Sequence, residues 1–108
     1  MAPEVPQDHL NKMYFYKLHE TKFGTLIAVC DKEISGNTLK DKNIEFFVNP
    51  RFYGEKEIGD EVISLIKQSN DGNIVGNNII KLLLKNKIIP KNSVMKIDGV
   101  SHAQFSVL

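Results

Sequence analysis

Thr25-Leu26-Ile27-Ala28-Val29-Cys30 is the stretch whose reading decides the fold. Its apolar side chains run on without a polar interruption, as in a strand covered on both faces and therefore central in a sheet. Working outward, Lys22-Phe23-Gly24 supplies a turn before it, and Tyr14 to His19 alternates aromatic and polar residues as a strand with two unlike faces does. On the other side Ser35-Gly36-Asn37 breaks the chain, and Ile44 to Val48 reads as a third strand that Pro50 ends.

Two helices are expected next. Gly59-Asp60 starts the first, with Ile58, Val62, Leu65 and Ile66 at three- and four-residue spacing. Ser69-Asn70-Asp71-Gly72 closes it, and Asp71 or Asn73 caps the second, whose stripe is Val75, Ile79, Leu82 and Leu83, widened by Ile80 and Leu84. Asn86 suits a left-handed stop and Pro90 forbids continuation. Val94 to Ile97 is a fourth strand, and Asp98-Gly99 is a two-residue hairpin signal that folds the tail back as a fifth. The expectation is an α+β fold: a mostly antiparallel four- to five-stranded sheet with two helices packed on one face. Residues 1–12, interrupted by Pro3 and Pro6, read as a flexible arm, and 13–108 as one compact domain.

The composition is that of an ordinary globular chain, 42% hydrophobic and 25% charged. No apolar run nears the roughly 20 residues of a membrane span, and the start lacks a secretory pattern, so no membrane association and a cytoplasmic location are expected. Cys30 is the single cysteine, which leaves no internal disulfide, and the three histidines show no metal-ligand spacing. The net charge of +1 conceals an asymmetry: Asn73 to Ile97 holds Lys81, Lys85, Lys87, Lys91 and Lys96 with no acid, whereas acids dominate Asp41 to Glu61.

Several residues bear chemistry. His102 and Gln104 follow the Asp98-Gly99 turn two residues apart, suited to a ligand, a nucleotide edge or a neighbouring strand. Gly76, read as lying within the second helix, costs about 1 kcal/mol relative to alanine there, so a strand, a helix or a ligand approaches its backbone. Lys81 and Lys85 share a helix face, where their repulsion favours an anionic partner or plain solvation. Tyr14 and Tyr16 share a strand face as core or as stacking platforms, and Phe52-Tyr53-Gly54 reads as an exposed aromatic turn. Cys30 with His102, oriented by Asp31 or Gln104, is the single conceivable nucleophile–base pair; a buried structural cysteine is the competing reading.

In order along the chain stand Met13-Tyr14-Phe15-Tyr16-Lys17, Val29-Cys30-Asp31, Phe52-Tyr53-Gly54, Asn73-Ile74-Val75-Gly76 and Gly99-Val100-Ser101-His102-Ala103-Gln104. With these pieces, from Met13 to Gln104, the chain resembles the archaeal domain-of-unknown-function family 424. It departs from that pattern in its first twelve residues and in having Ser101 where proline is more usual. The family label carries no established activity; the resemblance implies an RNA-binding role near the translation machinery. The expected function is thus a non-enzymatic domain that binds RNA or a ribonucleoprotein, such as the ribosome, without DNA specificity. Lys81, Lys85, Lys87 and Lys91 would meet phosphates, Tyr53 would stack, and Asn73, Gly76, His102 and Gln104 would form a polar site. No catalytic residue, metal or cofactor is expected. Two alternatives stay open: a small enzyme or small-molecule-binding domain around His102, Gln104 and Asn73, and an interaction module pairing through its C-terminal strand.

Overall fold

The structure, a computed structural model, describes residues 12–107; residues 1–11, most of the expected arm, lie outside the described residues. Thr25–Cys30 forms the heart of β2 (Gly24–Asp31), whose residues from Ile27 to Asp31 are buried. β2 pairs antiparallel with β1 (Tyr14–Thr21) and parallel with β6 (Asp71–Val75). β6 continues antiparallel to β8 (Val100–Ser106), and β8 to β7 (Met95–Ile97). With β5 (Lys56–Ile58) on β1, the sheet order is β5-β1-β2-β6-β8-β7. A separate hairpin joins β3 (Thr38–Asp41) to β4 (Ile44–Phe47). The helices are α1 (Pro50–Tyr53), α2 (Val62–Lys67) and α3 (Asn77–Lys85). The fold is α+β with a mixed six-stranded sheet.

The alternation of β2 explains its central place. Ile27 and Val29 face a core made with α2 and α3, through Val62, Ile66, Ile79, Ile80 and Leu83. Ala28 and Cys30 face a second core formed by Leu39 and Val48 beside the hairpin, with Tyr53 of α1. α2 and α3 thus do pack on one face, and the hairpin and α1 cover part of the other. At the tail, Asp98 and Gly99 take φ of 53° and 75°, the mirror-image turn the Asp-Gly pair predicts.

The structure corrects the sequence reading in three places. The sheet has six strands and one parallel pair: Asp71–Val75 is a strand and not the start of a helix, Lys56–Ile58 adds an edge strand, and the expected third strand, Ile44–Phe47, pairs with Thr38–Asp41 outside this sheet. Gly76 therefore stands at the N-terminal boundary of α3, with φ 131°, and not inside the helix. The left-handed stop belongs to Lys87 (φ 56°), one residue beyond Asn86. The C-terminal strand β8 is an edge strand over only part of its length: β7 covers Val100–His102, and Ala103–Ser106 pairs with β6 alone among the described strands.

Candidate polar site on the sheet face

The registers align side chains of neighbouring strands into rows on the face opposite α2 and α3. One row runs Phe15, Cys30, Val75, His102; the next Lys17, Ala28, Asn73, Gln104; the third His19, Leu26, Asp71, Ser106. Phe46 of the hairpin lies over the first row, its ring centre 5.0 Å from that of His102. Toward β8 the cover gives way at the second row, where Gln104 is exposed, while on the β1 side Phe52 of α1 reaches His19 of the third. Leu26, Asp71, Asn73, Gln104 and Ser106, with the backbone of Gly72 and Phe105, line an open depression of about 340 Å³.

Asn73 is the hinge between the covered and open parts. The Tyr53 hydroxyl donates to its Oδ1 at 2.7 Å, and His102 Nε2 lies 3.0 Å from the same oxygen. An amide oxygen only accepts, so His102 carries its proton on Nε2 and Nδ1 is left as an acceptor. The Asn73 Nδ2 and the Gln104 amide have no hydrogen-bond partner among the described residues. Phe52 stacks on His19 at 4.9 Å, and His19 Nε2 lies 2.8 Å from the Phe52 carbonyl oxygen, which fixes α1 against β1.

Tyr53, expected on an exposed turn, is only 2% exposed. Asn49 caps α1 through the Arg51 N–H, and the resulting helical turn swings the Tyr53 ring inward. Burial raises its phenol pKa well above 10, so the hydroxyl is a fixed donor and its ring offers no face to a base. Cys30 is fully buried, with its thiol pushed up to about 12 by burial and by the neighbouring Asp31 charge. It sits two strands from His102 across Val75, about 10 Å away at normal strand spacing, so the nucleophile–base pairing has no geometric basis. Among the described residues no three His, Cys, Asp or Glu side chains gather as a metal site.

The signal at Gly76 resolves differently. A Cβ there would lie 2.4 Å from the Asp31 carboxyl carbon. The Asp31 carboxylate fills that space, accepting the N–H of Asn78 and of Ile79, each at 2.9 Å, and so caps α3 from the end of β2. Burial raises the Asp31 pKa, and these two N–H bonds pull it back. Gly76 N–H donates to the Ser101 carbonyl at 2.8 Å, while Asn77 Oδ1 accepts the Ser101 N–H at 2.8 Å. The tail and the helix start do meet, through backbone contacts that are structural. Lys81, Lys85, Lys87 and Lys91 are exposed on or just after α3, hence on the other side of the sheet from Asn73 and Gln104.

Burial lowers the His102 pKa below the ordinary 6.5. A histidine depressed on folding stabilises the fold above its unfolded pKa, and that contribution fades as pH falls from 6.5 through the folded value. The expected slope is at most about 1.4 kcal/mol per pH unit, read from thermal melts between pH 7 and pH 5. His102→Gln should flatten it; an unchanged slope would assign the pH response to other groups.

A crystal structure of an uncharacterized conserved protein from Methanopyrus kandleri superposes with a TM-score of 0.74 at 18% identity, covering 89% of this chain and 92% of that one. That likeness shows a shared fold. No curated protein matches the sequence. The pieces that carry the family resemblance lie on β1, β2, α1, β6 and β8, and the sequence profile of a family described as a protein of unknown function matches over residues 19–108, which takes in all of them but Met13–Lys17. This chain belongs to that family, DUF424.

Proposed function

We propose that the domain is a non-enzymatic RNA-binding module that takes a nucleobase of a single strand in the depression at Asn73 and Gln104. The observation that supports this is the double donation to Asn73 Oδ1, which holds that amide in place while its NH2 group and the amide of its cross-strand neighbour Gln104 are without partners among the described residues. Side-chain amides match the donor–acceptor edge of a base, and one held in advance loses little freedom on binding. Single-stranded RNA exposes such edges. The family resemblance supports a ribonucleoprotein of the translation machinery, in the cytoplasm, as the source of the strand. The lysines Lys81, Lys85, Lys87 and Lys91 belong to a second surface, across the sheet, and are not needed for this contact.

Filter binding of short single-stranded RNAs across a salt series tests the reading. Base recognition predicts a shallow response, with a log–log slope no steeper than about −1.4 for at most two phosphate contacts. Gln104→Ala should weaken binding about tenfold, as for loss of a base contact. Lys81→Glu with Lys85→Glu should leave affinity nearly unchanged. A steep slope abolished by the lysine substitutions would overturn the site.

A further inference from the structure

On the opposite side of the sheet, a cleft of about 450 Å³ opens between α3, β1 and the start of α2. Lys81 and Lys85, four residues apart on α3, stand along one side, and Lys12 joins them from the chain before β1. None of the three makes an ion pair among the described residues. Ile63 and Leu82 give the cleft an apolar part, and Asp60 is the one carboxylate among its lining residues. Tyr14 lines it too, although the residue is only 2% exposed.

Its phenol is the independent observation. The Tyr14 hydroxyl has no hydrogen-bond partner among the described residues, yet the residue is packed into the core with Ile79 and Ile80. Burial, aided by the charges of Asp60 and Asp31, pushes its pKa up to about 12, so it is a neutral donor at any ordinary pH. No buried polar side-chain atom among the described residues lacks a partner, so this hydroxyl is not sealed in the core but opens on the cleft, where a ligand or water can meet it.

The geometry points to a binding site for a small phosphomonoester in this cleft: the phosphate on Lys12, Lys81, Lys85 and the Tyr14 hydroxyl, its apolar or ring portion against Ile63 and Leu82. Three cations against one acid suit a dianion better than a monocarboxylate, and the volume lies within the range of small-ligand pockets. This site is separate from the one at Asn73 and does not depend on it.

The test is a titration of the full chain with phenyl phosphate, inorganic phosphate and benzoate, followed by two-dimensional amide NMR. Phenyl phosphate should bind most tightly, with shifts centred on Tyr14, Lys81, Leu82 and Lys85. Tyr14→Phe should weaken it about tenfold, the effect of losing one hydrogen bond to a charged group, without lowering the melting temperature. Lys85→Gln, at an exposed position, should weaken it by a similar factor. Absence of saturable shifts in the cleft at millimolar ligand, or affinity unchanged in Tyr14→Phe, would overturn the site. Tighter binding of a single-stranded RNA to the same residues would overturn the small-molecule assignment and place these lysines in an RNA interface.

Discussion

Gly76→Ala is expected to lower the melting temperature by roughly 10–20 °C. Two causes act together. At φ 131° the backbone is in a region that side chains rarely adopt, which costs about 1–3 kcal/mol. The added Cβ would also meet the Asp31 carboxylate at 2.4–2.7 Å, so the cap of α3 must move. The combined loss is about 3 kcal/mol or more, a large share of the 5–15 kcal/mol that holds a typical domain together. Chemical denaturation should show a lowered midpoint at nearly unchanged slope; a midpoint within error of the parent would mean that Asp31 does not occupy this space.

Asp31→Ala should cost about 2–4 kcal/mol, measured in the same way. It leaves the N–H groups of Asn78 and Ile79 without their acceptor at the start of α3, and a lost cap of this kind is worth about 0.5–2 kcal/mol before the charge is counted. Relief from desolvating a carboxylate offsets part of that loss, which keeps the figure below the sum of two charged hydrogen bonds. Asp31→Asn keeps one acceptor and should lose about half as much. The two sites are coupled: in the Gly76→Ala, Asp31→Ala double variant the clash is gone, so its loss should fall short of the sum of the singles by about 1 kcal/mol or more. Strict additivity would contradict the contact.

What the sequence made legible was local. The unbroken apolar run of Thr25–Cys30 placed β2 at the centre, and the Asp98-Gly99 pair placed the β7–β8 turn, since each depends on neighbours in the chain. β6 was hidden because Asp71, Gly72 and Asn73 are poor strand formers whose place is set by β2 on one side and β8 on the other. The cap of α3 comes from Asp31, 47 and 48 residues before the groups it binds, beyond any local capping pattern. Tyr53 looked exposed because nothing in Phe52-Tyr53-Gly54 reveals the Asn49-capped turn that buries it. The helix face shared by Lys81 and Lys85 was correctly read, but not that the sheet separates it from Asn73 and Gln104. His102, Gln104 and Asn73 were named together, and the β6–β8 register does bring them together.

Side-chain amide NMR of Asn73 and Gln104 during titration with a short single-stranded RNA tests the central claim most directly. The account predicts saturable shifts of both NH2 groups and of the His102 ring, with Lys81 and Lys85 unmoved. RNA binding that shifts the α3 lysines while the Asn73 and Gln104 amides stay in place would contradict it.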